Sequence, residues 1–140
     1  MDLPVEDPEA GCLRYAEVVD KALPAVDDLV LVGHSLGGLT IPLVAARRPV
    51  RKLVFLCALV PLFGKSLLDQ LVTEPAIYDP VLRGHPGRVT GPDGTTWLRD
   101  EDAARDLFYH DCSPDDVRRA FARLRGQAAA PRREPCPLSA

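Results

Sequence analysis

Residues 28–38 run Asp28-Leu29-Val30-Leu31-Val32-Gly33-His34-Ser35-Leu36-Gly37-Gly38, an apolar run that ends in a serine flanked by glycines. Leu29 to Val32 show no polar alternation, which predicts a short strand buried on both faces, as in a parallel sheet. A serine at the tip of a tight strand-to-helix turn sits in a strained backbone, and side chains two residues before and after it collide. Gly33 and Gly37 are therefore expected to be there for close approach, with Gly38 adding a further small surface. Ser35 then projects its hydroxyl clear of the sheet edge. The backbone N–H of Leu36, at the positive end of the next helix, can donate to an oxyanion, and His34 fills the variable position of the turn.

The flanking sequence agrees with such a turn. Leu36 to Arg48 is predicted as one helix with Leu39, Leu43 and Ala46 on its apolar side, kinked at Pro42 and closed by Pro49. Lys52 to Val60 is predicted as a second buried strand that holds Cys57 as a buried thiol and stops at Pro61. Strand, helix and strand in succession make a right-handed crossover. Upstream, Asp7-Pro8-Glu9 has helix-start chemistry, and Leu13, Ala16, Val19 and Leu23 recur on one face until Pro24. Downstream, Ser66 with Asp69 reads as a capping box, Arg88 to Leu98 as a hairpin around Pro92-Asp93-Gly94, and Asp100 and Ser113 as caps of two more helices.

Composition sets outer bounds. The chain has 140 residues, 46% hydrophobic and 26% charged, with 20 acidic against 17 basic side chains and a net charge of −3. One domain is the ceiling, and mean hydropathy near zero places it among ordinary soluble proteins. Charge lies in blocks: acids dominate residues 1–28 and 100–116, and six arginines without an acid fill residues 118–133. At this net charge the blocks read as solvated helix faces that pair with one another, and nucleic acid is excluded as a partner class. The longest apolar run, Leu53 to Val60, is too short for a membrane span, and the acidic N-terminal stretch from Met1 lacks an apolar signal segment, so a cytoplasmic location is expected. Cys12, Cys57, Cys112 and Cys136 are widely spaced and the histidines do not cluster, which predicts neither a zinc site nor a disulfide framework.

On the phrase Leu31-Val32-Gly33-His34-Ser35-Leu36-Gly37-Gly38 the sequence resembles the α/β-hydrolase superfamily. The hairpin and the segment Leu107-Phe108-Tyr109-His110-Asp111-Cys112-Ser113-Pro114 are similar to its small-esterase branch, which includes plant hydroxynitrile lyases, methylketone synthases and salicylate methyl esterases. The resemblance implies an α/β fold, here a partial α/β-hydrolase fold made of a central strand-elbow-helix-strand unit and a helical cap with a β-hairpin. It divides the chain into core at 1–61, cap at 62–134 and the start of a return to the core at 135–140.

By the same resemblance Ser35 is the nucleophile and Leu36 N–H an oxyanion donor, acting on a small ester or other carbonyl compound without a metal or cofactor. Trp97, Phe108 and Tyr109 are candidate pocket residues, with packing between cap and core as the alternative. The family's remaining parts, a His-Gly loop before this region and an acid and a histidine after it, have no counterpart here, so the chain is expected to be truncated at both ends. His34, His85 and His110 are poor substitutes for the general base. Three readings stay open: an esterase-like serine hydrolase of weak or no turnover in these 140 residues, a catalytically incomplete module that binds or self-associates through exposed strand edges, and a lyase of the hydroxynitrile type.

Overall fold

The computed structural model describes residues 1–77 and 79–139. It contains two compact units, one formed by residues 1–4, 9–74 and 130–140 and the other by residues 5–8 and 75–129.

The first unit is built around two parallel strands, β1 (Val30–His34) and β2 (Lys52–Leu56), paired from Val30 with Lys52 to His34 with Leu56. Helix α1 (Cys12–Ala22) precedes β1, and a 3-10 helix (Ser35–Leu39) followed by α2 (Ile41–Ala45) connects the strands. Cys12, Ala16 and Val19 of α1, Leu31 of β1, and Leu39, Ile41, Leu43 and Val44 of the connection share one core with Leu29, Leu67 and Cys136. The unit continues through α3 (Leu67–Thr73) and α7 (Ala130–Arg133), and Phe63 and Cys136 form a parallel bridge that returns the C-terminal segment to this core.

Several local expectations are corrected. The first helix starts at Cys12 rather than near Asp7, and Gly11 caps it without a side chain. The missing acceptor comes from far along the chain: Glu134 Oε2 accepts the Leu13 N–H at 2.9 Å. A carboxylate there meets both a free backbone donor and the positive end of the helix dipole. Gly11 leaves space for it, because a Cβ at this position would run into the Glu134 carboxylate.

The helix predicted over 36–48 with a kink at Pro42 is instead two short pieces. Pro42 lies in the first turn of α2, where its missing N–H costs no hydrogen bond. Ala46 is exposed, and Ile41 and Val44 take the buried positions. The second strand is also shorter than expected, and β1 is covered on one face only: Leu31 and Gly33 are buried, whereas Val30, Val32 and His34 are exposed. Cys57, expected inside the second strand, follows its end and is exposed.

The second unit holds α4 (Pro80–Gly84), the antiparallel hairpin β3 (Arg88–Thr90) and β4 (Thr96–Leu98), α5 (Glu101–Phe108) and α6 (Pro114–Phe121). Its hairpin turns as the sequence predicts. Gly94 N–H donates to Gly91 O at 3.0 Å, Asp93 Oδ1 accepts from Thr95 N–H at 2.9 Å, and Gly94 takes the left-handed φ of 84° that glycine adopts without cost. Asp100 caps α5 and Ser113 caps α6 through their side chains. Ala103, Ala104, Val117 and Ala128 are buried. Asp115 pairs with Arg118 and Asp116 with Arg119 one turn apart, so part of the arginine block lies on a solvated, self-paired helix face.

Candidate active site

The residues singled out around the serine lie together in the first unit. Ser35 follows the last residue of β1 directly, has φ of 51° and is exposed. Positive φ is uncommon outside glycine, and strain of this kind gathers where surrounding structure holds a side chain for use. His34 caps the 3-10 helix through its backbone, and its side chain is exposed. Leu36 is in the first turn of that helix, where N–H groups have no partner within the helix.

The glycines divide by function in a way the motif does not. A Cβ on Gly33 would come within 2.8 Å of Gly37 O and 2.9 Å of Ile41 Cδ1, so this position closes the turn against the helix that follows. A Cβ on Gly38 would overlap Leu59 O, a backbone atom of the loop after β2. Around Gly37, expected to be equally crowded, a Cβ meets nothing within 4 Å. The turn itself crowds Gly33 and the loop after β2 crowds Gly38, so there is no symmetrical pinch about the serine. Leu59 N–H donates to Ser35 O at 3.0 Å and ties that loop to the turn.

The sequence reading missed Cys57 as a neighbour of this turn. His34 pairs with Leu56, so Ser35 and Cys57 leave adjacent parallel strands at the same level. Cys57 has φ of 43°, and it and Ser35 are the non-glycine residues with positive φ among those described. The available signal was strand length, since a strand matched to the five residues Val30–His34 ends at Leu56. The apolar run through Val60 concealed that end.

The three aromatic candidates lie in the second unit. Trp97, on β4, is 41% exposed, and its ring edge packs by Gly91, whose Cβ would lie 3.3 Å from Cζ3. Phe108, at the end of α5, is exposed and meets the adjoining Tyr109 edge to face, with ring centroids 6.2 Å apart. His85 Nδ1 accepts the Gly87 N–H at 3.1 Å, and His110 is exposed. In the first unit His34 is the one histidine. Among the described residues no three His, Cys, Asp or Glu side chains gather as a metal-holding group, and no helix is long and apolar enough to cross a membrane.

The family model described as "Alpha/beta hydrolase family" matches residues 2–140. This chain belongs to the alpha/beta hydrolase family. The hydrolase-family chain is 43% identical over 63 residues to a carbendazim hydrolyzing esterase of Nocardioides sp. (strain SG-4G), a match spanning 44% of this chain and 23% of that protein. Its fold is similar to that of a pyrethroid hydrolase from Sphingobium faniae JZ-2, with a TM-score of 0.73 and 19% identity over 99% of this chain and 60% of the other. It is also similar to polyneuridine aldehyde esterase, with a TM-score of 0.63 and 19% identity over 87% of this chain and 51% of that one. The alpha/beta hydrolase chain thus spans about half to three fifths of these solved relatives.

Proposed function

We propose that this chain carries the nucleophile-bearing part of a carboxylic-ester-type serine hydrolase, with Ser35 as the attacking group. The exposed Ser35 with φ of 51° at the C-terminal end of β1 is the observation that carries this reading. In the reaction Ser35 Oγ adds to the carbonyl carbon of a small ester, and the carbonyl oxygen becomes an oxyanion facing the Leu36 N–H. The alkoxide leaves, an acyl-serine remains, and water releases the acid. Relatives named as esterases and hydrolases support an ester as the substrate class.

The attack needs an acceptor for the Oγ proton. His34 precedes the serine in the chain and is exposed, which makes it a poor base, and the 140 residues alone are proposed to turn over weakly or not at all. Loss of triad partners still leaves roughly 10³–10⁴-fold catalysis over water from binding and oxyanion contacts. A fluorophosphonate probe tests the assignment. Slow labelling is expected in the wild-type chain, with the adduct on Ser35 by peptide mass spectrometry and none in Ser35→Ala. Equal labelling of the two proteins, or none in either, overturns it.

A second reading is a module that associates with a second copy of itself. The specific observation is that β1 and β2 pair only with each other among the described residues, and Val32 and Leu56, on the same face, are 58% and 54% exposed. Such edges and faces favour pairing.

A further inference from the structure

We infer that Cys57 lines the Ser35 site and by its small size sets the room left for the group carried on the reacting carbonyl. The inference rests on the reading of Ser35 as nucleophile and extends it to which esters fit.

The placement follows from strand register. His34 and Leu56 are the last partners of the parallel pair, so the next residues, Ser35 and Cys57, emerge side by side at the same end of the sheet. Neighbouring strands stand about 4.8 Å apart. Both residues then turn through left-handed backbone, at φ of 51° and 43°, and both are exposed. The loop that begins at Cys57 is fixed against the turn, because Leu59 N–H donates to Ser35 O at 3.0 Å and Leu59 O occupies the space a Gly38 side chain would need. A group bound on Ser35 Oγ therefore has Cys57 as a neighbour across the strand gap. Cysteine is small and weakly polar, so this side of the site suits an apolar acyl or alkoxy group and excludes little.

Two experiments separate this placement from the reading it rests on. In a Ser35→Cys, Cys112→Ser chain, diamide as the two-electron oxidant should join Cys57 to the new thiol with loss of two protons. The adduct-free mass falls by two hydrogens and dithiothreitol restores it. The expected spacing lies within the roughly 4.4–6.8 Å between Cα atoms that a disulfide requires. A folded chain in which both thiols stay open to iodoacetamide after oxidation overturns the placement, whatever the reactivity of Ser35.

In the Cys112→Ser background, Cys57 is then capped with methyl or benzyl methanethiosulfonate, each releasing methanesulfinate as the mixed disulfide forms. Cys12 and Cys136 are buried and are spared. Fluorophosphonate labelling of Ser35 should slow at least roughly tenfold from the methyl to the benzyl cap. Equal rates overturn the specificity role of Cys57. Absence of labelling even before capping overturns the Ser35 reading and the specificity role with it, while the cross-link result still stands for the placement.

Discussion

Ser35 holds a left-handed backbone that glycine adopts freely and other residues adopt at a cost. Ser35→Gly is accordingly expected to be more stable than Ser35→Ala by about 1 kcal/mol in urea unfolding, and equal midpoints would show that the turn stores no strain. The neighbouring glycines give an opposed pair. Gly38→Ala drives a methyl into Leu59 O and is expected to cost more than about 2 kcal/mol, whereas Gly37→Ala meets nothing and should stay within about 1 kcal/mol of wild type. Similar losses at both positions would mean that Gly37 is as confined as Gly38.

Cys12 supplies a pH signature at the same scale. Burial, assisted by the Glu134 charge, pushes its thiol up from 9.0 to about 12. The folded pKa lies above the unfolded one, so the stabilisation is complete below pH 9 and is lost as pH rises toward 12, where the unfolded chain binds fewer protons. Between pH 9 and 10.5 this group should remove about 2 kcal/mol of stability. Urea unfolding of wild type and Cys12→Ala across that window checks it, and parallel slopes would rule the thiol out.

At the scale of elements, α1 depends on a cap that its own sequence does not contain. Glu134, on the turn after α7, accepts from Leu13 N–H and so joins the two ends of the first unit. Glu134→Ala should cost about 1 kcal/mol, and Glu134→Gln less, since the amide oxygen still accepts the bond without the favourable charge. If both variants match wild type in urea, the contact is idle. Helix α3 is the contrasting case. Its capping box is local, with Ser66 Oγ accepting from Asp69 N–H at 3.1 Å and Asp69 Oδ2 accepting from Ser66 N–H at 2.9 Å. The Ser66 hydroxyl, which donates to Asp69 Oδ2 at 2.6 Å, and then the Ser66 N–H hold the Asp69 carboxyl below its usual range. That start was readable from two residues three apart, whereas the start of α1 was misplaced to Asp7 because its acceptor is 121 residues away.

At the scale of the whole molecule, the uncovered β1 face predicts association. Size-exclusion chromatography over a hundredfold range of concentration should show dimer increasing with concentration, and Val32→Lys should shift it to monomer through the cost of confining an unpaired charge. A monomer at every concentration sinks the second reading and leaves the Ser35 proposal untouched. What the sequence determined by itself were the features that depend on near neighbours: the strand before Gly33, the turn at Ser35, the crossover to the second strand, the hairpin at Pro92-Asp93-Gly94, and the caps at Ser66, Asp100 and Ser113. Each follows from backbone sterics or a hydrogen bond closed within a few residues. Tertiary structure alone decided where β2 ends, which face of β1 is covered, why Gly38 rather than Gly37 must lack a side chain, and that Cys57 emerges beside Ser35. These depend on register and on the approach of segments distant in the chain, which an apolar run cannot encode because every residue in Leu53 to Val60 is equally suited to a strand.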